Sequence, residues 1–330
     1  MSLLSLSYFL TAAEELNITT AARRLYVTQQ TLSSHIQRLE REYGVTLFNR
    51  KPKLSLTPAG ERMVRYASRI VRLERVMRAE FADLDKNAAG VLSLGISRMR
   101  ARHFFHRLWG RYRKQFPNIE IHLHEGSADV LEKLALSRKA DLCVGVQMQS
   151  SPALCLKPLL REEFFCVVSR ELLRAHFGKK AAAAVRSLAR GVSFEQLPPL
   201  PLLLLSPVNR LRRLVDQRFD ACDRVARPAF ESNDLELLLT MCESGAGLTF
   251  VPATSLFLRA EGLARAERLY AFPIRGLSIE TDLVWPADLE PPQYARAFIR
   301  LCEEEFAQAD AALRARSAAY LAALREADAQ

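Results

Sequence analysis

Residues 17–60, NITTAARRLYVTQQTLSSHIQRLEREYGVTLFNRKPKLSLTPAG, limit the possible folds of this chain more than any other stretch. Two short helical patterns meet there at a tight corner, and a basic hairpin follows. Thr28 stands where a helix N-cap is expected, just after the apolar corner of Leu25 and Val27. From it Leu32, Ile36, Leu39 and Tyr43 recur at helical spacing and make one apolar stripe. The opposite face carries Gln30, Ser34, Gln37, Arg38 and Arg41, rich in hydrogen-bonding groups and poor in acids. With the shorter helical pattern over residues 20–25, this reads as a helix-turn-helix whose second helix enters the major groove of DNA. Gln bonds adenine in bidentate fashion there, and Ser or Thr bonds either partner. The candidates for base or groove contact are Thr28, Gln29, Gln30, Thr31, Ser33, Ser34, Gln37 and Arg38. An isolated helix with such a face would more often be merely solvated. The hairpin changes that weighing. Leu47-Phe48 and Leu54-Ser55-Leu56 read as short strands flanking Asn49-Arg50-Lys51-Pro52-Lys53, and a basic hairpin behind a recognition helix is a wing placed to grip phosphate. Arg50, Lys51 and Lys53 are the phosphate candidates, and double-stranded DNA is the partner implied.

These residues resemble the winged helix-turn-helix of the LysR-type transcriptional regulators. The matching elements are Phe9, Ala21-Ala22-x-x-Leu25-x-Val27-Thr28-Gln29 and Leu32-Ser33-x-x-Ile36-x-x-Leu39-Glu40. They continue through Gly44-x-x-Leu47-Phe48-x-Arg50 and Leu56-Thr57-x-x-Gly60. So many fixed spacings in so short a stretch make the signal specific. One departure is Gln30, where the family often has proline; it bears on base preference and not on the fold.

At 330 residues the chain is long for one domain, and length alone suggests two or three. Hydrophobic residues make up 49%, enough for proper cores. The formal charge of +10, from 47 Lys and Arg against 37 Asp and Glu, fits a polyanionic partner or an anionic membrane surface. No apolar run approaches the roughly 20 residues that span a bilayer. The start, MSLLSLSYFLTAAEEL, has no basic n-region and no small-residue cleavage site, so a cytoplasmic location is expected. Its Leu6, Phe9, Leu10, Ala13 and Leu16 instead make a helix stripe to pack under the recognition helix. Cys143, Cys155, Cys166, Cys222, Cys242 and Cys302 are scattered without a CxxC pair, as reduced and mostly buried thiols would be. A redox pair such as Cys155 and Cys222 is conceivable, yet nothing local marks a low-pKa thiol.

Thr57-Pro58 opens a helix with a capping hydroxyl and proline at the first helical position, running to about Lys86. Met63, Ile70, Met77 and Leu84 recur every seven residues, with Tyr66 and Leu73 between them. Such a seam could pack on its own domain, but a long helix between domains favours a dimerising linker, and the resemblance implies the same. Asn87-Ala88-Ala89-Gly90 should end it. Beyond, strand and helix patterns alternate: strands at 91–96, 119–124 and 141–146, helices at 102–115 and 128–139, which predicts a parallel sheet of βαβ units. Further strands are expected at 154–159, 164–168, 202–205, 248–251 and 279–285, and helices at 210–220, 235–244 and 291–306. Residues 178–201, with a run of four alanines and three prolines, read as a looser segment.

The pattern fits two α/β lobes joined by two crossings, near residues 147–152 and 275–278. This is the periplasmic-binding-protein-like effector domain that the LysR resemblance implies. The domains expected are a winged helix-turn-helix over 1–58, a linker helix over 59–89, an effector domain over 90–305 and a helical tail over 306–330. The fold class is α/β.

In open α/β sheets ligands gather beyond the carboxyl ends of strands, against helix N-termini. Ser97, Arg98, Met99 and Arg100 after the first strand, Gly126-Ser127 after the second, and Ser206, Pro207, Asn209 and Asn233 from the other lobe occupy such places. Gln147 lies near the proposed hinge. Each alone would more often be an ordinary cap or turn residue; their common placement is the argument. Residues 98–114 hold Arg98, Arg100, Arg102, Arg107, Arg111, Arg113 and Lys114 with His103 and His106, and no acid. Most read as a solvated face or subunit contact, while Arg98 and Arg100 at the helix start would favour an anionic effector such as a carboxylate.

Enzymatic readings are weak. His122-x-His124-Glu125 and His103-x-x-His106 lack a third metal ligand at telling spacing, and there is no Walker A loop or GxSxG elbow. No cofactor, metal or catalytic residue is expected. A regulator of the LysR type, dimeric or tetrameric, is the favoured reading. Its partners would be DNA, a small-molecule effector, a second copy of the chain and RNA polymerase. The competing reading is a ligand-binding or enzymatic α/β protein whose basic N-terminus is an interaction module.

Overall fold

The computed structural model describes residues 2–84, 90–288 and 290–326. At the N-terminus, α1 (Leu3–Glu15), α2 (Ile18–Arg24) and α3 (Gln29–Tyr43) pack around Leu6, Phe9, Leu32, Ile36 and Leu39, all buried. Local chemistry sets their ends. Asn17 Oδ1 accepts from Thr19 N at 2.9 Å and Thr20 N at 3.1 Å, and Thr28 Oγ1 accepts from Thr31 N at 3.1 Å. Gly44 closes α3 at φ +64°, a left-handed conformation that costs glycine least. Tyr43, expected in the apolar stripe, is instead exposed at the last position of the helix.

The wing follows as β1 (Phe48–Asn49) and β2 (Ser55–Leu56), antiparallel with Phe48 opposite Leu56. Glu40 Oε1 accepts from Leu47 N at 2.8 Å and so fastens the wing to α3. At Gly60 an added Cβ would lie 2.2 Å from the Leu47 carbonyl oxygen, so only glycine allows this approach. Helix α4 (Pro58–Leu84) starts there, capped by Thr57 Oγ1, which accepts from Gly60 N at 2.9 Å. The heptad seam divides. Met63 and Ile70 pack on the N-terminal core around buried Ala67, whereas Tyr66, Leu73, Met77 and Phe81 form an exposed apolar stripe. The expected helix end at Asn87-Ala88-Ala89 and the side chain of Leu84 lie outside the described residues.

The remainder is two lobes on one continuous sheet. The first lobe holds β3 (Gly90–Ile96), α5 (Arg98–Arg100), a π-helical turn (Ala101–Phe105), α6 (His106–Gln115), β4 (Ile119–Glu125), α7 (Ala128–Leu136) and β5 (Leu142–Val146). Strand β6 (Leu154–Ser169) leads into the second lobe, with α8 (Arg170–Phe177), α9 (Ala181–Leu188), β7 (Leu202–Leu205), α10 (Arg210–Asp220) and β8 (Pro228–Ser232). That lobe continues through α11 (Leu235–Glu243), β9 (Leu248–Pro252), α12 (Ala253–Phe257) and α13 (Ala260–Arg268). Strand β10 (Leu269–Pro286) returns to the first lobe, and α14 (Gln293–Glu326) is the last described element. Among the described residues the sheet order is β4-β3-β5-β10-β6-β9-β7-β8. The βαβ strands pair in parallel on each side, and β6 and β10 run antiparallel through the middle.

Several expectations change. The first crossing is not at residues 147–152, which form the loop before β6. The chain crosses within β6 itself, where Arg161-Glu162-Glu163 separates the part paired near β5 from the part paired with β9. Those three charges suggest a break between two strands. Glu162 instead stays in the sheet because Arg100 and Thr254 bond both its oxygens. The second crossing does fall near 275–278, at a register shift in β10 between Pro273 and Ser278. Residues 178–201 contain α9, where alanine's helix propensity prevails. Strand β8 and helices α12 and α13 were not expected either; four of the five β8 residues are exposed, so it has no alternation to read.

Residue 306 marks no break, since α14 runs unbroken across it and spans both lobes. Its first half lies on the first lobe, with Phe306 stacked on Phe104 at 4.0 Å and Phe298 edge-on to Tyr112 at 5.3 Å. Arg107 and Arg111, read from sequence as a solvated or subunit-contact face, pair with its Glu305 and Glu304. Its second half docks on the second lobe. Arg316 donates to the Phe257 and Leu258 carbonyls at 2.8 and 2.9 Å. Tyr320 Oη donates to Leu269 O at 3.1 Å and accepts from Ala271 N at 2.9 Å. Replacing Tyr320 by Phe removes the acceptor of Ala271 N and leaves Leu269 O with Arg170 Nε alone at 3.4 Å, so urea unfolding should report a loss of about 1–3 kcal/mol. An unchanged midpoint and slope would show that the Tyr320 hydroxyl contributes nothing to this docking.

Candidate DNA interface and effector cleft

On α3, Gln30, Thr31, Ser34, Gln37 and Arg38 are exposed, and Ser33 is half-buried beside them. Thr28 and Gln29 are already engaged within the protein. Thr28 Oγ1 caps the helix and lies 2.8 Å from Thr31 Oγ1, and Gln29 Nε2 donates to Thr19 Oγ1 at 2.6 Å. Both therefore hold the α2–α3 corner before any partner arrives. In the wing Arg50 lies 3.6 Å from Glu40, while Lys51 and Lys53 are exposed with no ion-pair partner among the described residues. The structure adds Tyr26, 97% exposed at φ +54° in the corner itself. Its neighbours Leu25 and Val27 pack inward, so reading the corner as apolar concealed it.

A cleft of about 410 Å3 opens between the lobes, at the carboxyl ends of β3, β4, β5 and β7 and the starts of α7, α10 and α11. Ser97, Arg98, Met99, Gly126, Ser127, Asn209 and Asn233 line it, as the strand-end argument placed them. Arg100, Gln147, Ser206 and Pro207 do not. Arg100 is 0% exposed and turns away, donating to Glu162 Oε1 and, at 3.0 Å, to Thr254 Oγ1. A guanidinium can sit in that interior because a carboxylate meets it there. Gln147 adopts φ +54° and contributes its carbonyl to Arg210 instead of lining the cleft. Ser206 extends the strand, donating its backbone N–H to Ser232 O at 3.1 Å, and Pro207 follows in the turn that leads to Asn209. Asn209 Oδ1 also caps α10 by accepting from Leu211 N at 2.9 Å.

Arg210 is the largest omission from the sequence reading. From the second lobe it reaches Asp129 at 2.5 Å and Glu132 at 2.7 Å on α7 of the first. Arg213, one turn on, adds Asp129 at 2.8 Å. Hydrogen bonding from Arg210 holds the Asp129 carboxyl below the usual carboxylate range. This is an interlobe latch. Its signal was readable as matching i,i+3 pairs, Asp129 with Glu132 and Arg210 with Arg213, on two predicted helices.

His103 also lines the cleft, 4% exposed, with neither ring nitrogen hydrogen-bonded within the described residues. Burial, then the charges of Arg100, Arg259, Arg102 and Arg107, push its pKa down to about 3. The ring is therefore neutral near pH 7. Of the histidine pairs weighed as metal ligands, His122 and His124 are otherwise occupied, with Glu120 at 2.8 Å and Ser93 at 3.1 Å. Among the described residues no group of three or more His, Cys, Asp or Glu is placed to hold a metal ion. Burial pushes the Cys143 and Cys242 thiols up to about 12, and a hydrogen bond to Glu195 raises Cys222, away from the thiolate that redox sensing needs.

The His103 shift has a consequence for stability. An unfolded chain protonates this ring near pH 6.5, whereas the native state resists until about pH 3. The unfolded state thus binds the extra proton, so stability is complete above pH 6.5 and falls below it, by roughly 3 kcal/mol on reaching pH 4. Urea titrations of wild type and His103→Gln should show the variant gaining relative stability by that amount across this range. A pH-independent difference would contradict the buried neutral ring.

Family comparisons agree with this architecture. Residues 3–61 match the model of the bacterial regulatory helix-turn-helix protein, lysR family, and residues 85–307 match that of the LysR substrate binding domain. The HTH-type transcriptional regulator BsdA of Bacillus subtilis is 26% identical over 91% of this chain and 100% of its own length. EstR of Acinetobacter baylyi is 28% identical over 77% of this chain and 81% of its own. Full-length OxyR from Pseudomonas aeruginosa, solved as a cysteine-to-aspartate variant, has the same fold, with a TM-score of 0.68 and 24% identity over 93% of this chain and 94% of that one. CbnR, solved in complex with its target DNA, superposes with a TM-score of 0.57 and 20% identity over 92% of this chain and 100% of that one. No helix among the described residues is long and apolar enough to cross a membrane. With both models matched in order along most of its length, the chain belongs to the LysR family of DNA-binding transcriptional regulators.

Proposed function

We propose that this regulator acts in the cytoplasm as a dimer, or a pair of dimers, on a dyad-symmetric promoter site, and answers to a small, anionic effector held between its lobes. Residues 1–58 bind DNA, 59–89 join protomers, and 90–305 with the continuing helix form the effector unit. Carrying this reading is a single observation: the exposed polar face of α3 continues into Lys51 and Lys53, cations that no carboxylate among the described residues neutralises. Gln30, Thr31, Ser33, Ser34, Gln37 and Arg38 face bases or the groove, Thr28 and Gln29 hold the corner, and Arg50, Lys51 and Lys53 meet phosphate. The exposed stripe of Tyr66, Leu73, Met77 and Phe81 supports self-association through α4, because such a stripe is costly to leave in water. The cleft supports effector binding, with Arg98 as its cation, and the effector acts by its differential affinity for two arrangements of the protein. RNA polymerase is a partner by the logic of promoter binding.

Binding measured against salt tests the DNA assignments. Lys53→Ala should weaken all sequences alike and lower the salt slope by about 1, whereas Gln30→Ala should shift sequence preference by roughly 1–3 kcal/mol at one position and leave the slope intact. Equal effects on every sequence from both would contradict them. Sedimentation of Leu73→Glu, a charge set in the exposed stripe, should show dissociation toward monomer at concentrations where wild type is dimeric; an unaltered assembly would move the interface elsewhere.

A further inference from the structure

The polar groups of the cleft divide into those the protein has already used and those it has not. Arg210 is engaged by Asp129 and Glu132, and Glu236 by Arg265. Arg102 lies within 3.9 Å of Glu236 and Glu261, and Asp234 caps α11 through the backbone N–H groups of Glu236 and Leu237. Two charges remain. Arg98 and Glu125 both line the cleft, and neither side chain has an ion-pair or hydrogen-bond partner among the described residues. Beside them two polar side chains are buried without partners, the Ser97 hydroxyl and the His103 ring. Buried polar groups in native proteins are nearly always satisfied, so these await a partner that the protein does not supply.

The four belong to one wall. Strands β3 and β4 are parallel neighbours with Ile96 opposite Glu125, and Ser97 and Arg98 directly follow Ile96. Adjacent strands lie about 4.8 Å apart. A cation and an anion offered from neighbouring strand ends match opposite charges carried on adjacent atoms of a small ligand. The facing wall, from the second lobe, sets Leu205, Val208, Leu211 and Leu235 as an apolar surface beside Asn209 and Asn233 and the already engaged Arg210, Asp234 and Glu236. A simple carboxylate would answer Arg98 but leave Glu125 facing an anion without compensation. We infer that the effector is a zwitterion of the apolar α-amino-acid class, its carboxylate on Arg98 and the Ser97 hydroxyl, its ammonium on Glu125, and its side chain against the second lobe. The neutral His103 ring, able to donate from one nitrogen and accept at the other, completes the polar wall. The inference rests on the reading that this cleft holds the effector, and it replaces a plain anion with a ligand charged at both ends.

Isothermal titration of the full-length protein tests it with L-leucine, L-methionine and L-phenylalanine, each beside its deaminated acid and its N-acetyl derivative. At least one amino acid should bind, and at least tenfold more tightly than its own deaminated and acetylated forms. Arg98→Ala should abolish binding. Glu125→Gln should remove the preference for the amino acid over the deaminated acid while keeping carboxylate binding. A deaminated acid that binds as tightly as its parent would overturn the zwitterion and leave the cleft reading standing. No binding by any of the three amino acids would also overturn the ligand class. Unchanged binding in Val208→Trp, a bulky group at an exposed cleft position, would place the ligand outside the cleft and overturn both.

Discussion

The effector unit depends on one carboxylate buried in a β-strand. Glu162 sits where β6 passes from one lobe to the other, and its two oxygens take Arg100 from the first lobe and the backbone and hydroxyl of Thr254 from the second, the latter both at 2.6 Å. A buried carboxylate is tolerable only when so fully compensated, and removing one partner of such a pair typically costs about 3–5 kcal/mol. The consequence is geometric. By drawing Arg100 inward, the ion pair fixes the start of the helix that carries Arg98 on one side and His103 on the other. The cleft's polar wall is held in place from behind.

From that wall a continuous run of structure leads to the DNA-binding end. Helix α7 begins at the cleft, carries Asp129 and Glu132 to the interlobe latch, and ends before Arg138, Lys139 and Asp141. These residues meet the N-terminal half of the molecule. Asp141 lies 3.7 Å from buried Arg72 of α4, Arg138 and Arg69 share Asp288, and Lys139 reaches Glu14 of α1 at 3.0 Å. Asp141 also accepts from Ser93 N at 2.9 Å, which ties the linker contact to strand β3. A ligand that bound the latched and unlatched arrangements unequally would bias where α7, and with it α4, comes to rest.

Much of this was legible in the residues. Caps, the corner, the wing and the apolar stripe of the N-terminal unit are local features, and Thr28, Thr57 and Gly60 act where their positions in sequence place them. Strand-end residues of the cleft followed from a rule of α/β topology. What escaped reading was non-local. Arg100 looks like a cleft residue until Glu162, 62 positions away, is seen to meet it. Arg161-Glu162-Glu163 looks like an interruption for the same reason. The seam of α4 follows a clean heptad, yet its first part covers its own domain, because periodicity names a face and not the partner that covers it. The final alanine-rich residues carry helix propensity without a visible stripe, so their docking on the second lobe through Tyr320 and Arg316 could not be foreseen.

The central claim is that two copies of one recognition helix and wing read a dyad in DNA. Selection of bound sequences from a random pool by the full-length protein, followed by hydroxyl-radical footprinting of the winners, tests this most directly. The account predicts inverted half-sites one helical turn of about 10–10.5 base pairs apart, or a multiple of it, each protected across adjoining phosphates. Enrichment of a single asymmetric site, or no enrichment by a folded dimer, would contradict it.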